Sequence, residues 1–223
     1  MKIQDEISAW LDTYLLKNKL STFIVGISGG VDSAVTSTLC AMTGKKTILI
    51  IMPIQQNPDE TSRGEKHCSW LNKKYKNVET LKMDLTDLYS EYLNVIPEKF
   101  HNSLALANTR ARIRMSSLYL VAGSSNGIVV GTGNKVEDFG VGFYTKYGDG
   151  GVDISPIADC TKTQVWELGK FLGVSEKIIN SEPTDGLWND GRNDVQQLGM
   201  TYEQLEKAMI NKNDQNYKKY LEI

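Results

Sequence analysis

The stretch Thr22-Phe-Ile-Val-Gly-Ile-Ser-Gly-Gly-Val-Asp-Ser33 decides the fold. Its first half is a β-branched, apolar run that reads as a buried strand. The second half breaks at Ser28-Gly-Gly30, and helical periodicity then resumes through Val31, Ala34, Val35, Thr38 and Leu39. Glycines at a strand-to-helix junction let the backbone turn tightly and bring its N–H groups close to a ligand. The start of a helix adds unpaired N–H donors and a partial positive charge, which together make an anion site. Ser28 and Ser33 add hydroxyl donors. An aspartate in such a loop repels anions unless a cation stands between, so Asp32 points to a magnesium ligand. The loop has neither the Gly-x-Gly-x-x-Gly of a dinucleotide site nor the Gly-Lys-Ser/Thr of a Walker loop.

Working outward, short apolar runs at 47–52, 78–83 and 128–130 read as further strands. Helices are expected at 2–18, 31–42, 58–75, 85–93, 103–122, 161–172, 174–180 and 201–210. Continuous apolar strands that alternate with helices predict an α/β fold, an open parallel sheet with helices on both faces. Beyond Gly131 the texture changes: nine of the 19 glycines fall between Gly123 and Gly151, more than a mere connector needs. With no repeat and no low-complexity linker, the 223 residues are expected to form one domain, 1–223.

Composition excludes several classes. Lys plus Arg total 25 against 27 Asp plus Glu, a formal charge of −2 that gives no support for nucleic-acid binding. The longest strongly apolar run is too short to cross a bilayer, so no membrane association is expected. Cys40, Cys68 and Cys160 are odd in number and widely spaced, which disfavours disulfides and zinc and suits a cytoplasmic location.

Two further segments carry chemistry. Gly131-Thr-Gly-Asn-Lys-Val-Glu-Asp138 runs out of the fourth strand, where open α/β sheets bind ligands. Glu137 and Asp32 are expected to share a magnesium ion there, and Thr132 to offer its hydroxyl to a nucleotide. Phe143-Tyr-Thr-Lys-Tyr-Gly-Asp-Gly-Gly-Val-Asp153 brings Lys146, Asp149 and Asp153 into one glycine-rich string.

Ser28-Gly-Gly-Val-Asp-Ser33 resembles the pyrophosphate loop of ATP pyrophosphatases. The two later segments, with Asn108-Thr-Arg-Ala-Arg-Ile-Arg-Met115 and Ser181-Glu-Pro-Thr-Asp-Gly-Leu-Trp188, narrow the resemblance to ammonia-dependent NAD synthetases. It implies a Rossmann-like, adenine nucleotide α-hydrolase-like sheet and a cytoplasmic homodimer with no glutaminase domain. The implied reaction amidates nicotinic acid adenine dinucleotide with ammonia through an adenylated carboxylate, with ATP as co-substrate and Mg2+ as cofactor. By the same resemblance Gly26, Ile27, Ser28, Gly29, Gly30, Val31, Asp32 and Ser33 would hold the ATP phosphates. Thr132, Lys162 and Thr184 would contact ATP, and Asp32 and Glu137 would bind the metal. Arg112, Lys146 and Asp153 would hold the dinucleotide, and Asp149 is the candidate base for ammonium. Arg110, Arg112 and Arg114 diverge by about 200° per step of two on a helix, so all three cannot face one ligand. The motif match favours Arg112. Many relatives carry a His-Lys pair near the C-terminus that is not found here; either the sequence is truncated or a basic residue such as Lys218 or Lys219 substitutes.

Overall fold

The apolar runs become four parallel strands, β1 (Thr22–Gly26), β2 (Lys46–Ile51), β3 (Val78–Lys82) and β4 (Gly127–Val130), in the order β3-β2-β1-β4. The computed structural model describes residues 2–56, 58–184 and 193–223. Val25 of β1 stands opposite Leu49 of β2 on one side and Val130 of β4 on the other. The chain therefore leaves β1 in one direction to reach β2 and β3, and returns on the opposite side as β4. A crevice opens at the carboxyl ends of the strands where that order reverses.

Both faces of the sheet are covered, which is why its strands read as unbroken apolar runs. Phe23, Val25, Leu49, Ile51, Ile128 and Val130 enter the core of one face, and Ile24, Ile48, Ile50 and Val129 that of the other. Each such side chain, fully buried, contributes roughly 1.5–3 kcal/mol of hydrophobic stabilisation. On the first face lie α1 (Ile3–Lys17), α2 (Val31–Met42) and α3 (Pro58–Lys74). The second face is covered by α4 (Thr86–Val95) and α5 (Ser103–Ser124), and α6 (Lys162–Leu172) and α7 (Glu176–Ile179) return to the first.

Helix limits follow local chemistry. The Asn102 side chain accepts from the Ala105 amide and starts α5, while Thr161 and Gln164 form a reciprocal capping box at α6. After β4 the chain forms a π-helix, Lys135–Val141, where the sequence suggests only a segment leaving a strand. Its start depends on a tertiary bond, from the Lys135 amide to the Cys160 carbonyl at 2.9 Å. Among the described residues the remaining helices are a 3-10 turn (Glu98–Phe100), α8 (Asp194–Leu198), α9 (Tyr202–Ile210) and α10 (Tyr217–Tyr220). Val136, Leu198, Met200, Tyr202, Leu205 and Ala208 form a separate apolar cluster that binds α8 and α9 to the π-helix. Among the described residues no helix is long and apolar enough to cross a membrane.

Candidate active site

The glycine loop closes on itself before it meets any ligand. Ser33 Oγ donates to the Gly30 carbonyl at 3.1 Å and stands 3.1 Å from Ser28 Oγ, so these serines brace the turn. Gly29 has φ +93°, and a Cβ there would run into the Glu60 carbonyl on α3; only glycine fits. Gly30 is the N-cap of α2 and provides no side-chain acceptor, which leaves the first-turn N–H groups without a side-chain cap. A phosphate is the natural partner for such a terminus.

Gly26, Ile27, Ser28, Gly30, Val31 and Asp32 line one cleft, together with Thr132, Glu137, Asp149, Lys162 and Thr184. Gly29 turns toward α3, and Ser33 is buried beneath the loop. The metal-ligand candidates, expected to meet from 105 residues apart, do converge. Lys162 Nζ lies 2.6 Å from Asp32 Oδ2 and 2.8 Å from Glu137 Oε1. Lys162 is 3% exposed and reaches the site as the first residue of α6.

Two carboxylates around one ammonium leave an excess negative charge. Burial opposes ionisation of all three groups. For Lys162 the two carboxylates outweigh burial and hold its pKa above the ordinary lysine range. Burial and the neighbouring Glu137 raise Asp32 despite Lys162, whereas Lys162 and the Tyr202 hydroxyl lower Glu137 despite burial. Asp138 is pushed up to about 7, first by burial and then by Glu137, Asp149 and Asp32. Its carboxylate lies against Gly133, where a Cβ would collide with it.

The residues fit a magnesium ion on two grounds. Asp32 and Glu137 present hard oxygen atoms that already converge on a cation, and magnesium takes one or two carboxylates plus substrate phosphates. The cleft is also lined by seven carboxylates against Arg63, Arg114 and Lys162, so a triphosphate needs accompanying positive charge to enter. No group of three or more His, Cys, Asp or Glu suited to a metal occurs among the described residues.

Three contributors escape the sequence reading. Asn134 is completely buried; its carbonyl oxygen accepts from the Val136 and Glu137 amides, and its Nδ2 donates to Asp32 Oδ1 at 3.0 Å. One side chain thus starts the π-helix and holds Asp32 in place; an Asn preceding Lys135 is a helix-start signal that was legible. Tyr202 and Asp194 have no local signature. The Tyr202 hydroxyl stands 2.5 Å from Glu137 Oε1 and 2.7 Å from Asp194 Oδ2.

The dinucleotide candidates lie elsewhere. Arg112 is exposed and donates through Nε to the Lys146 carbonyl at 3.1 Å, and neither residue lines the cleft. Asp153 accepts from Tyr119 Oη and from the Val129 amide, both at 2.9 Å, beside the end of β4. It is Arg114 that lines the cleft, with Nε on the Met52 carbonyl at 2.9 Å; burial and nearby Arg110 lower its pKa to about 10. Asp149 lines the cleft and accepts from the Thr145 amide. Lys219 donates to the Gly199 carbonyl, and Trp188 lies outside the described residues. The three cysteines are buried and unpaired by disulfide, and burial raises each thiol.

The family model described as NAD synthase matches residues 3–222. The NH(3)-dependent NAD(+) synthetase of Carboxydothermus hydrogenoformans is 40% identical over 207 residues, which is 92% of this chain and 84% of that protein. Its counterpart in Alkaliphilus metalliredigens is 37% identical over 218 residues, 95% of this chain and 87% of that one. A solved structure described as NMN synthetase from Francisella tularensis superposes with a TM-score of 0.89 at 32% identity, covering 99% of this chain and 89% of the other. The glycine loop, the parallel sheet and the match over nearly its whole length say the same thing: the chain belongs to the NAD synthase family.

Proposed function

We infer that this chain amidates nicotinic acid adenine dinucleotide to NAD, using ATP and ammonia and releasing AMP and pyrophosphate. The observation that carries the reading is the convergence of Asp32, Glu137 and Lys162 beside an uncapped helix start in one cleft. A carboxylate resists attack by ammonia because its charge repels the nucleophile and oxide is a poor leaving group. Its oxygen therefore attacks the α-phosphorus of ATP, and the bond to the β-phosphate oxygen breaks. Ammonia then attacks the acyl carbon, and AMP leaves with the former carboxylate oxygen.

In this reading the glycine-loop amides and α2 bind the phosphates, and Lys162 offsets the charge that grows on departing pyrophosphate. Asp32 and Glu137 would hold magnesium, which when bound supplies further charge neutralisation to the triphosphate. Arg112, Lys146 and Asp153 remain the assignment for the dinucleotide, outside the ATP cleft, and Asp149 for the proton lost by ammonium. The 223 residues act as one synthetase unit, with ammonia as the nitrogen source. The exposed apolar side chains Leu104 and Leu120 on α5 support a homodimer through that helix. Three free, buried cysteines support a cytoplasmic setting.

The Francisella similarity favours a second reading, in which the acceptor is the mononucleotide and the product is NMN. Both acceptors present the same nicotinate carboxylate and differ by an AMP moiety. A mass-spectrometric assay with ATP, Mg2+ and ammonium, given each acceptor in turn, separates them. Equal NAD and AMP, with a higher kcat/KM for the dinucleotide, supports the first reading. Preference for the mononucleotide selects the second, and no AMP with either acceptor rejects both.

A further inference from the structure

Tyr202 begins α9 and is 2% exposed, with its hydroxyl between two carboxylates: Glu137 Oε1 at 2.5 Å and Asp194 Oδ2 at 2.7 Å. A phenol has one hydrogen and donates it to one of them at a time. Glu137 Oε1 also accepts from Lys162. Asp194 is tied into the cleft wall, since its amide donates to the Pro183 carbonyl at 3.0 Å and the adjacent Asn193 donates through Nδ2 to Glu182 at 3.1 Å. Ser181, Glu182, Pro183 and Thr184 all line the cleft. The carboxylate read as a metal ligand and the wall read as a nucleotide contact therefore compete for one hydrogen.

We propose that Tyr202 is a positioning residue that couples cation binding at Glu137 to docking of the 181–184 wall through Asp194. A divalent cation drawn to Glu137 reduces the pull of that carboxylate on the phenolic hydrogen, which then turns to Asp194. The strengthened Tyr202–Asp194 bond holds α8 and, through Pro183, keeps Thr184 facing the cleft. The converse holds by linkage: a docked Asp194 draws the hydrogen away from Glu137 and leaves a stronger ligand for the cation. The inference rests on the reading of Asp32 and Glu137 as the metal pair.

The test uses Mn2+ as probe with the α,β-methylene analogue of ATP, which cannot be cleaved at the reacting bond. Paramagnetic resonance reads Mn2+ binding, and amide hydrogen exchange reads the wall. Asp32→Asn must weaken Mn2+ binding relative to the wild type if the metal pair is right; if it does not, that reading and this proposal fall together. With Mn2+ bound, wild-type α8 amides are expected to exchange about fivefold or more slowly than with the analogue alone. Tyr202→Phe keeps the ring, which packs edge-on to Trp166 at 5.8 Å and under Lys162 Nζ at 5.0 Å, and deletes only the hydroxyl. In that variant the metal-dependent slowing should vanish, with Mn2+ still bound and β1 amides unchanged. Asp194→Asn keeps an acceptor without the charge, should lose most of the same response, and decides the matter if Tyr202→Phe fails to fold. Retention of full slowing in the folded variants, or its absence in the wild type, overturns the coupling while the metal pair stands.

Discussion

At the scale of single residues, Lys162 carries the largest consequence. Its buried ammonium is the cation between two partly buried carboxylates, and removing one partner from a buried charge cluster costs about 3–5 kcal/mol. Lys162→Ala should therefore lower the melting temperature, and added Mg2+ should restore more of it in the variant than in the wild type. Loss of a comparable electrostatic donor slows turnover by ~10²–10³, the drop expected for NAD formation under saturating substrates. Wild-type turnover in a folded Lys162→Ala protein would remove Lys162 from the chemistry. The motifs around Asp32, Glu137 and Lys162 are visible in the chain, but their mutual contact is not. Asn134 is legible in the sequence as a helix start, but its bond to Asp32 is not.

Between elements, one buried contact makes a pH-dependent joint. His67 on α3 meets Ser37 on α2 at 2.9 Å, and burial lowers its pKa to about 4. The unfolded chain takes up this proton near 6.5, whereas the folded chain resists it down to about 4. Stability from this joint is thus complete above about pH 6.5 and lost as the pH falls toward 4, by at most about 3 kcal/mol. Thermal melts of wild type and His67→Gln between pH 7.5 and 4.5 check this: the wild type should lose more melting temperature on acidification. Equal losses would place the acid sensitivity elsewhere. The arginines of α5 give the complementary lesson. Their spacing predicts that they diverge, as they do, but which one enters the cleft depends on how the helix is rotated. Packing of Ile113, Leu118 and Val121 against the second core sets that rotation and turns Arg114 inward, with Arg112 exposed.

For the whole molecule, the apolar surface of α4 and α5 has no cover among the described residues. Val95 is 77% exposed and Leu120 72%, which is costly for a surface that stays in water. Sedimentation velocity should find a species of twice 24.9 kDa, and Leu120→Glu should convert it to monomer with little change in protomer melting. A wild-type protein that sediments as a monomer would reject the dimer. The sequence by itself determined the strand–glycine–helix unit, the parallel sheet and most helix limits. Those features rest on periodicity, capping and backbone freedom, which act over a few residues. Only the tertiary structure decided that Lys162 meets Asp32 across 130 residues, that Tyr202 reaches Glu137 across 65, and that a π-helix lies between them. Contacts at such separation leave no repeating pattern in the chain, because they are set by where the sheet reverses its order and how each helix settles on its core.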